Sequence, residues 1–276
     1  MNRVTPLVRT TAVSVERFDH EPGVPHRDPE RERARGHAVS VIETGAFRVR
    51  LNGAWHEVTP ASLFATTPGL EFSCAHDEEH PRDRCVSVRY DEEAVESLRA
   101  AGAVAVAGSV LPLTNRRAYL RRAILADPGG DRSRVEALAG ALYWSLASPT
   151  VGRRLYRPHQ LRHYAERVDR AKALMRAHYA EPLSLSRIAR EVGMSVYQFA
   201  RVFSELEGEP PHRFLQRVRL EQAEARLRDG ASVTAVCFDV GFGSLSHFVS
   251  TFRRRVGMRP SDVRHRPRSA RPLLER

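Results

Sequence analysis

Short runs of alternating apolar and polar residues fill much of the N-terminal half of the chain. Two of them, 37–42 and 46–51, are separated by Gly45, and the second runs into the turn dipeptide Asn52-Gly53. Alternation with period two is typical of strands that bury one face, and Asn-Gly favours a tight hairpin. Further runs of this kind are 55–58, 62–66 and 84–90. Strands of this length and spacing predict a small β-barrel or a β-sandwich.

The residues before this region are rich in charge and proline. Pro22, Pro25 and Pro29 are followed by an Arg/Glu run at 30–35. Proline cannot donate to a strand ladder, so we expect much of the first 36 residues to be irregular or edge structure.

After Pro112 the apolar spacing changes to the period of a helix. Residues 116–126 and 132–147 each predict a helix, and the breaker Asp-Pro-Gly-Gly at 127–130 separates them. A basic, proline-containing stretch at 153–159 predicts a linker, and the pattern beyond it stays helical.

The C-terminal part contains an internal repeat. Segments 185–211 and 233–260 share their apolar positions, a glycine, a serine and a closing Gly-x-x-Pro at an offset of 48 or 49 residues. In the first copy, four apolar residues fall on one face of a short helix: Leu185, Ile188, Ala189 and Val192. Gly193 permits a sharp turn, and Ser195 can cap the next helix. Each copy therefore predicts a helix-turn-helix unit.

The excess positive charge accompanies this repeat. The chain has 44 Lys+Arg and 33 Asp+Glu, and 23 of the former with 13 of the latter lie in 157–276. That segment therefore carries +10 of the net charge of +11. Such a concentration favours a polyanionic partner, either nucleic acid or membrane headgroups. An all-helical bundle whose repeat serves only folding does not account for it.

The segment from about Val168 to Arg266 closely resembles the DNA-binding domain of the AraC/XylS family of bacterial transcription regulators. The most specific part is 241–260, Gly-Phe-Gly-Ser-Leu-Ser-His-Phe-Val-Ser-Thr-Phe-Arg-Arg-Arg-Val-Gly-Met-Arg-Pro, which is similar to the family signature. The resemblance covers about a third of the chain. It implies seven helices, with a long helix at 212–228 joining two helix-turn-helix units, and control of transcription through promoter DNA and RNA polymerase.

Family members with this layout carry a cupin-like sensor before the DNA-binding domain. We therefore expect a multidomain α+β protein with a cupin-like β-barrel (jelly roll) at 1–112 and an all-α double helix-turn-helix domain at 157–276. The connecting helices and linker at 113–156 either cover the barrel or form a homodimer interface.

The outward positions of the two recognition helices are the candidates for reading bases. On the first helix they are Val196, Tyr197, Ala200 and Arg201, and in the family the matching positions contact bases. Arg201 is the strongest candidate, because arginine can bond bidentately to guanine; a phosphate contact or a solvated charge is the alternative. On the second helix the candidates are Leu245, Ser246, His247 and Ser250, although the family often has arginine where Ser250 stands. The second unit is therefore expected to act mainly on phosphates. The candidate phosphate contacts are Ser195, Arg217, Arg219, Ser244 and Arg253.

One cluster in the N-terminal half has sensor chemistry. Cys74, His76, His80 and Cys85 lie within 12 residues. Three interpretations stay open: buried structural thiols with exposed histidines, a Cys74–Cys85 redox switch, or a site for Zn²⁺ or a similar metal. The spacing matches no common zinc module.

The overall composition excludes some classes of protein. No run of 18 apolar residues and no secretory signal are present, and three cysteines do not suggest a disulfide framework, so we expect a cytoplasmic protein without membrane partners. A small-molecule effector is a possible partner; no catalytic residues and no cofactor are expected. The alternative is a cupin-type enzyme with a basic localisation domain, but His37 and His56 do not form the His-x-His pattern that such an enzyme needs.

Overall fold

The structure, a computed structural model, describes residues 3–20, 30–76, 83–104, 108–147 and 155–263. The chain forms two compact units that divide between Leu155 and Tyr156. In the described ranges, the first (the sheet unit) has ten strands and three helices, and the second (the helical unit) has seven helices. No helix in these ranges is long and apolar enough to cross a membrane.

The strands of the sheet unit form two antiparallel sheets. They are β1 (Arg3–Arg9), β2 (Val13–Asp19), β3 (Glu30–Arg33), β4 (His37–Thr44), β5 (Phe47–Leu51), β6 (Ala54–Val58), β7 (Ser62–Thr66), β8 (Glu71–His76), β9 (Arg84–Tyr90) and β10 (Ser109–Pro112). The larger sheet has the order β1-β2-β9-β4-β7-β10, and the smaller has the order β3-β8-β5-β6. The hairpin between β5 and β6 turns at Asn52 and Gly53, both with positive φ, as the Asn-Gly pair predicts.

The two sheets pack face to face around an apolar core. The larger sheet contributes Ile42 and Phe64, and the smaller contributes Phe47, Val49 and Phe72. Within the described ranges no strand ladder joins the two sheets, so they form an open, two-sheet arrangement and not a closed barrel. The predicted antiparallel sheet domain is confirmed, while its closure is not.

The expectation for the first 36 residues was only partly right. β1 is an edge strand, but β2 lies inside the larger sheet, between β1 and β9. Its charged residues obscured the pattern: Glu16 pairs with Arg89 at 3.0 Å, and Arg17 with Glu43 at 3.5 Å. Ion pairs of this kind let charged side chains occupy an internal strand, and Val13 and Val15 supply its buried apolar positions.

Three helices complete the sheet unit: α1 (Glu92–Ala100), α2 (Asn115–Ala126) and α3 (Arg132–Leu146). The hydroxyl of Tyr90 on β9 donates a 2.9 Å hydrogen bond to the carbonyl of Ala139 on α3. Arg121 on α2 donates to the carbonyl of Ile42 on β4 at 2.6 Å. The fully buried Arg117 donates to the carbonyls of Ser145 and Leu146 at the end of α3. These bonds fix α2 and α3 on the larger sheet.

The helical unit follows the predicted order closely. Its helices are α4 (Pro158–Ala177), α5 (Leu185–Glu191), α6 (Val196–Glu207), α7 (Pro211–Arg228), α8 (Val233–Asp239), α9 (Leu245–Val256) and α10 (Pro260–Val263). The long helix α7 joins the pair α5–α6 to the pair α8–α9. The bulky side chains Phe199, Phe203, Phe214, Phe248 and Phe252 are fully buried among these helices.

Candidate nucleic-acid interface and interior cavity

The helix pairs α5–α6 and α8–α9 have the same local construction. Each second helix begins at a serine whose hydroxyl accepts a backbone N–H three residues on: Ser195 from Gln198 at 3.2 Å, and Ser244 from His247 at 3.4 Å. The first helices begin in the same way, at Ser184 and Ser232. Such caps satisfy donors that the helix start leaves unpaired, so serine at these positions fixes where each helix begins.

A glycine with positive φ makes the turn in each pair. Gly193 has φ +65° and Gly241 has φ +88°. A Cβ at Gly241 would lie 2.7 Å from the carbonyl oxygen of Ala180, whereas the nearest atom to a Cβ at Gly193 is 3.7 Å away. The second turn therefore needs glycine for both conformation and space, and the first for conformation alone.

The outward face of α6 carries the residues predicted to read bases. Tyr197 is 80% exposed and Val196 is 41% exposed, although both are large apolar or aromatic side chains. Arg201 is exposed on the same face, and Ala200 is half-buried. The opposite stripe of α6 is fully buried: Phe199, Val202, Phe203 and Leu206. The outward face of α6 therefore combines apolar and aromatic side chains with one cation, Arg201.

A small polar network supports that cation. The hydroxyl of Tyr156 donates a 2.7 Å hydrogen bond to Oε2 of Glu205, and Arg201 Nη1 lies 3.4 Å from that hydroxyl and 3.9 Å from Oε2. Burial first, and the Glu205 carboxylate second, raise the pKa of Tyr156, so the hydroxyl keeps its proton. Sequence reasoning missed Tyr156 and Glu205, since no local pattern links positions 49 residues apart.

The outward face of α9 is small and polar. Ser246, His247 and Ser250 are exposed, and Leu245 is 38% exposed. The Ser250 hydroxyl donates to the carbonyl of His247 at 3.0 Å, which ties it to its own helix. Beyond these residues, Arg253, Arg254 and Arg255 are all exposed in the last turn. The face offers cations and hydroxyls, but no arginine in its middle.

Two of the predicted phosphate contacts already have partners inside the helical unit. Arg217 bonds to Glu209 at 2.9 Å and to Glu221 at 3.0 Å, and its guanidinium lies over the ring of Phe214. Arg219 donates from Nε to the carbonyl of Tyr179 at 2.7 Å, and from Nη2 to that of Glu181 at 2.9 Å. Their roles in DNA binding stay predictions, and both help to hold the helices together.

The sheet unit encloses a cavity of about 510 Å³ between its two sheets. Cys74 lines it from β8 and Cys85 from β9, so the two thiols approach the same space from opposite sheets. No disulfide joins Cys74 and Cys85 in the structure, and burial raises the pKa of Cys85 to about 12. His76 also lines the cavity, whereas His80 lies outside the described residues.

His76 has neighbours that sequence reasoning did not anticipate. Its ring stacks on that of His20 with 3.9 Å between the ring centroids, and its Nδ1 lies 2.9 Å from Oδ1 of Asp83. His20 follows β2 and Asp83 precedes β9, and these strands pair in register, with Asp19 opposite Arg84. Only that pairing brings positions 20 and 83 together.

The sequence similarity to known proteins lies in the helical unit. The profile of a helix-turn-helix domain family matches residues 188–266, from α5 past α10. The virulence regulon transcriptional activator VirF of Yersinia enterocolitica is 33% identical over 106 residues, which are 38% of this chain and 39% of VirF. The transcriptional activator RhaS of Klebsiella pneumoniae is 33% identical over 99 residues, 36% of each chain. This chain therefore matches well under half the length of these relatives.

Among solved structures, an AraC-type regulator from Chromobacterium violaceum is 33% identical, with a TM-score of 0.35, over 36% of this chain and 90% of that one. The helical unit therefore matches a helix-turn-helix domain family and is similar to an AraC-type regulator. Both turns, at Gly193 and Gly241, lie inside the segment that the family profile matches, so the matched domain includes α6 and α9 with their exposed faces.

Proposed function

We propose that this protein is a bacterial transcription regulator that binds promoter DNA through α6 and α9. The observation that carries the proposal is the repeated, capped helix pair, which buries one face of each second helix and leaves the other exposed within a strongly basic segment. Second helices of this kind enter the major groove, and two on one chain suit sites about one helical turn apart.

The two helices have different parts in this proposal. On α6, Arg201 bonds to guanine, Tyr197 contacts a base edge, and Val196 and Ala200 pack on thymine methyl groups. On α9, Leu245, Ser246, His247 and Ser250 face the groove but read it weakly, because none is a long bidentate donor. Phosphate contacts come from Arg253 and from the helix starts at Ser195 and Ser244, with Arg217 and Arg219 as further candidates.

The sheet unit acts as a sensor in this proposal. Its cavity is large enough for a small molecule and is lined by both polar and aromatic side chains, including Arg33, Arg89, Phe47 and Phe64. A ligand there shifts the population of the DNA-competent arrangement. The protein is not an enzyme in this proposal; it works in the cytoplasm with RNA polymerase, and α2 and α3 are candidates for a homodimer contact.

Binding to the DNA upstream of the protein's own gene tests the proposal. Fluorescence anisotropy with that duplex and with a scrambled duplex measures specific and non-specific affinity separately. Arg201→Ala is expected to lose about 1–3 kcal/mol of the preference for the specific duplex. Arg201→Lys keeps the charge but not the bidentate geometry, so it loses a similar part of that preference while keeping non-specific binding.

Arg170→Ala is the matched control, because Arg170 is exposed on α4, outside both helix pairs. It is expected to leave the preference for the specific duplex unchanged. Equal affinity of the unaltered protein for both duplexes, over a range of promoter fragments, would contradict the proposed function.

A further inference from the structure

The most concentrated set of metal-ligating groups in the described residues lies at the cavity of the sheet unit. It consists of His20, His76 and Asp83, and one ligand atom from each lies within 4.8 Å of the other two. All three side chains line the cavity. His20 and Asp83 are buried and His76 is nearly so, with 12% of its side chain exposed. We propose that these three residues bind a divalent transition-metal ion such as Zn²⁺.

The distances suit one ion with small movements. Nitrogen and oxygen ligands lie about 2.1 Å from zinc, so donors around one ion are separated by at most roughly 4.2 Å. Nδ1 of His76 and Oδ1 of Asp83 are 2.9 Å apart, a separation that subtends about 90° at an ion 2.1 Å from both. The ion takes the place of the hydrogen bond between these two atoms, and binding through Nδ1 requires the neutral tautomer of His76 that carries its proton on Nε2.

The backbone fixes two of the donors in advance. The N–H of His20 donates a 3.0 Å hydrogen bond to the carbonyl of Asp83, which continues the ladder between β2 and β9. Only side-chain rotation is then needed for His20, whose ring must tilt out of its parallel stack with His76 to direct a lone pair at the ion. Donors held on rigid elements lose little freedom when they bind.

The donor set determines the class of metal. Two imidazoles and one carboxylate suit Zn²⁺, Fe²⁺ and related borderline ions better than Ca²⁺ or Mg²⁺, which prefer oxygen. Three protein ligands leave at least one position open, and here it faces the cavity, where water or a small molecule can complete the coordination. The set differs from the Cys74, His76, His80 and Cys85 cluster that the sequence suggested, and shares only His76 with it.

Metal titration of the full chain tests this site. The purified protein is stripped with a chelator, and zinc binding is then measured by calorimetry and by metal analysis after gel filtration. One equivalent of bound zinc is expected. His20→Gln and Asp83→Asn keep approximate side-chain volume and are each expected to weaken zinc binding by at least about tenfold. His56→Gln is the control, because His56 is exposed on β6 and does not line the cavity; zinc binding stays unchanged.

Cobalt substitution separates the proposed donor set from a thiol site, and does so in the unaltered protein. Visible d–d bands without near-ultraviolet thiolate-to-cobalt charge transfer are expected, and Cys74→Ser and Cys85→Ser are expected to keep the bound metal. No stoichiometric binding of zinc or cobalt would overturn the proposal. So would a thiolate charge-transfer band, or zinc binding that survives both His20→Gln and Asp83→Asn.

Discussion

The hydroxyl of Tyr156 donates a 2.7 Å hydrogen bond to Oε2 of Glu205, immediately beside the guanidinium of Arg201. Tyr156 lies just before α4, and Glu205 lies one helical turn beyond Arg201 on α6. The bond joins the start of the helical unit to its first predicted recognition helix. It also places a carboxylate where it holds the arginine in one region of space.

The variant Tyr156→Phe tests the contribution of this hydrogen bond. The variant loses a hydrogen bond to a charged group, so the free energy of unfolding of the helical unit is expected to fall by about 1.5–3 kcal/mol. Urea denaturation followed by circular dichroism measures the change. Tyr164→Phe is the matched control, because its hydroxyl receives only a 3.3 Å bond from Gln198, and a smaller loss is expected. Equal losses in the two variants would contradict a special role for the Glu205 bond.

Alanine substitutions at the two turn glycines are expected to destabilise the helical unit to different extents. Gly193→Ala brings only the strain of a positive φ in a residue with a Cβ, a cost of about 1 kcal/mol. Gly241→Ala adds a clash with the backbone of Ala180 at 2.7 Å, so its loss of unfolding free energy is expected to exceed that of Gly193→Ala clearly. Denaturation curves of both variants check the order. A larger loss for Gly193→Ala would show that the second turn is less crowded than described.

Some of the basic residues are exposed, whereas others form hydrogen bonds inside the helical unit. The salt dependence of DNA binding distinguishes the two groups. Arg253 is exposed on α9, so Arg253→Ala is expected to reduce the slope of log affinity against log salt by about 0.9 while leaving stability unchanged. Arg219→Ala removes two bonds to carbonyls and is expected to lower the unfolding free energy. Anisotropy titrations at several salt concentrations, beside denaturation curves, check both. An unchanged slope for Arg253→Ala would remove it from the phosphate contacts.

Acid is expected to destabilise the sheet unit through His37. Burial first, and the nearby Arg99 second, lower the pKa of His37 from its ordinary value of 6.5, against the opposing effect of Glu92. The unfolded chain therefore takes up this proton before the folded one does, and stability present above pH 6.5 is lost as the pH falls through the folded pKa. Unfolding measured between pH 7 and pH 5 checks this effect. His37→Gln is expected to flatten the dependence and His56→Gln to leave it; the reverse result would exclude His37 as the cause.

The helical unit was predictable because its information is local. The apolar spacing around Ile188 and Phe199, the glycine turns and the serine caps act within a few residues of each other, and a second copy repeats them. The sequence therefore predicted the order of the helices and the exposure of Tyr197. It did not predict that Arg219 donates hydrogen bonds to the carbonyls of Tyr179 and Glu181, since those contacts join segments about 40 residues apart.

The sheet unit was less predictable because its contacts are distant in sequence. β10 is only four residues long and lacks clear alternation, and α1 is a short helix whose nine residues follow a strand directly. The pairing of β2 with β9 brings His20 and Asp83 together, and no local sequence pattern indicates that pairing. The Cys-His cluster shows the opposite case. Its residues are near in sequence, but Cys74 and Cys85 belong to different sheets.

Hydroxyl-radical footprinting of the full chain on its upstream DNA tests the double-groove proposal most directly. Two protected patches are expected on one face of the duplex, with centres about 10 base pairs apart, and Arg201→Ala is expected to weaken the patch beneath α6. A single patch, or two patches on opposite faces of the duplex, would contradict insertion of α6 and α9 into successive major grooves.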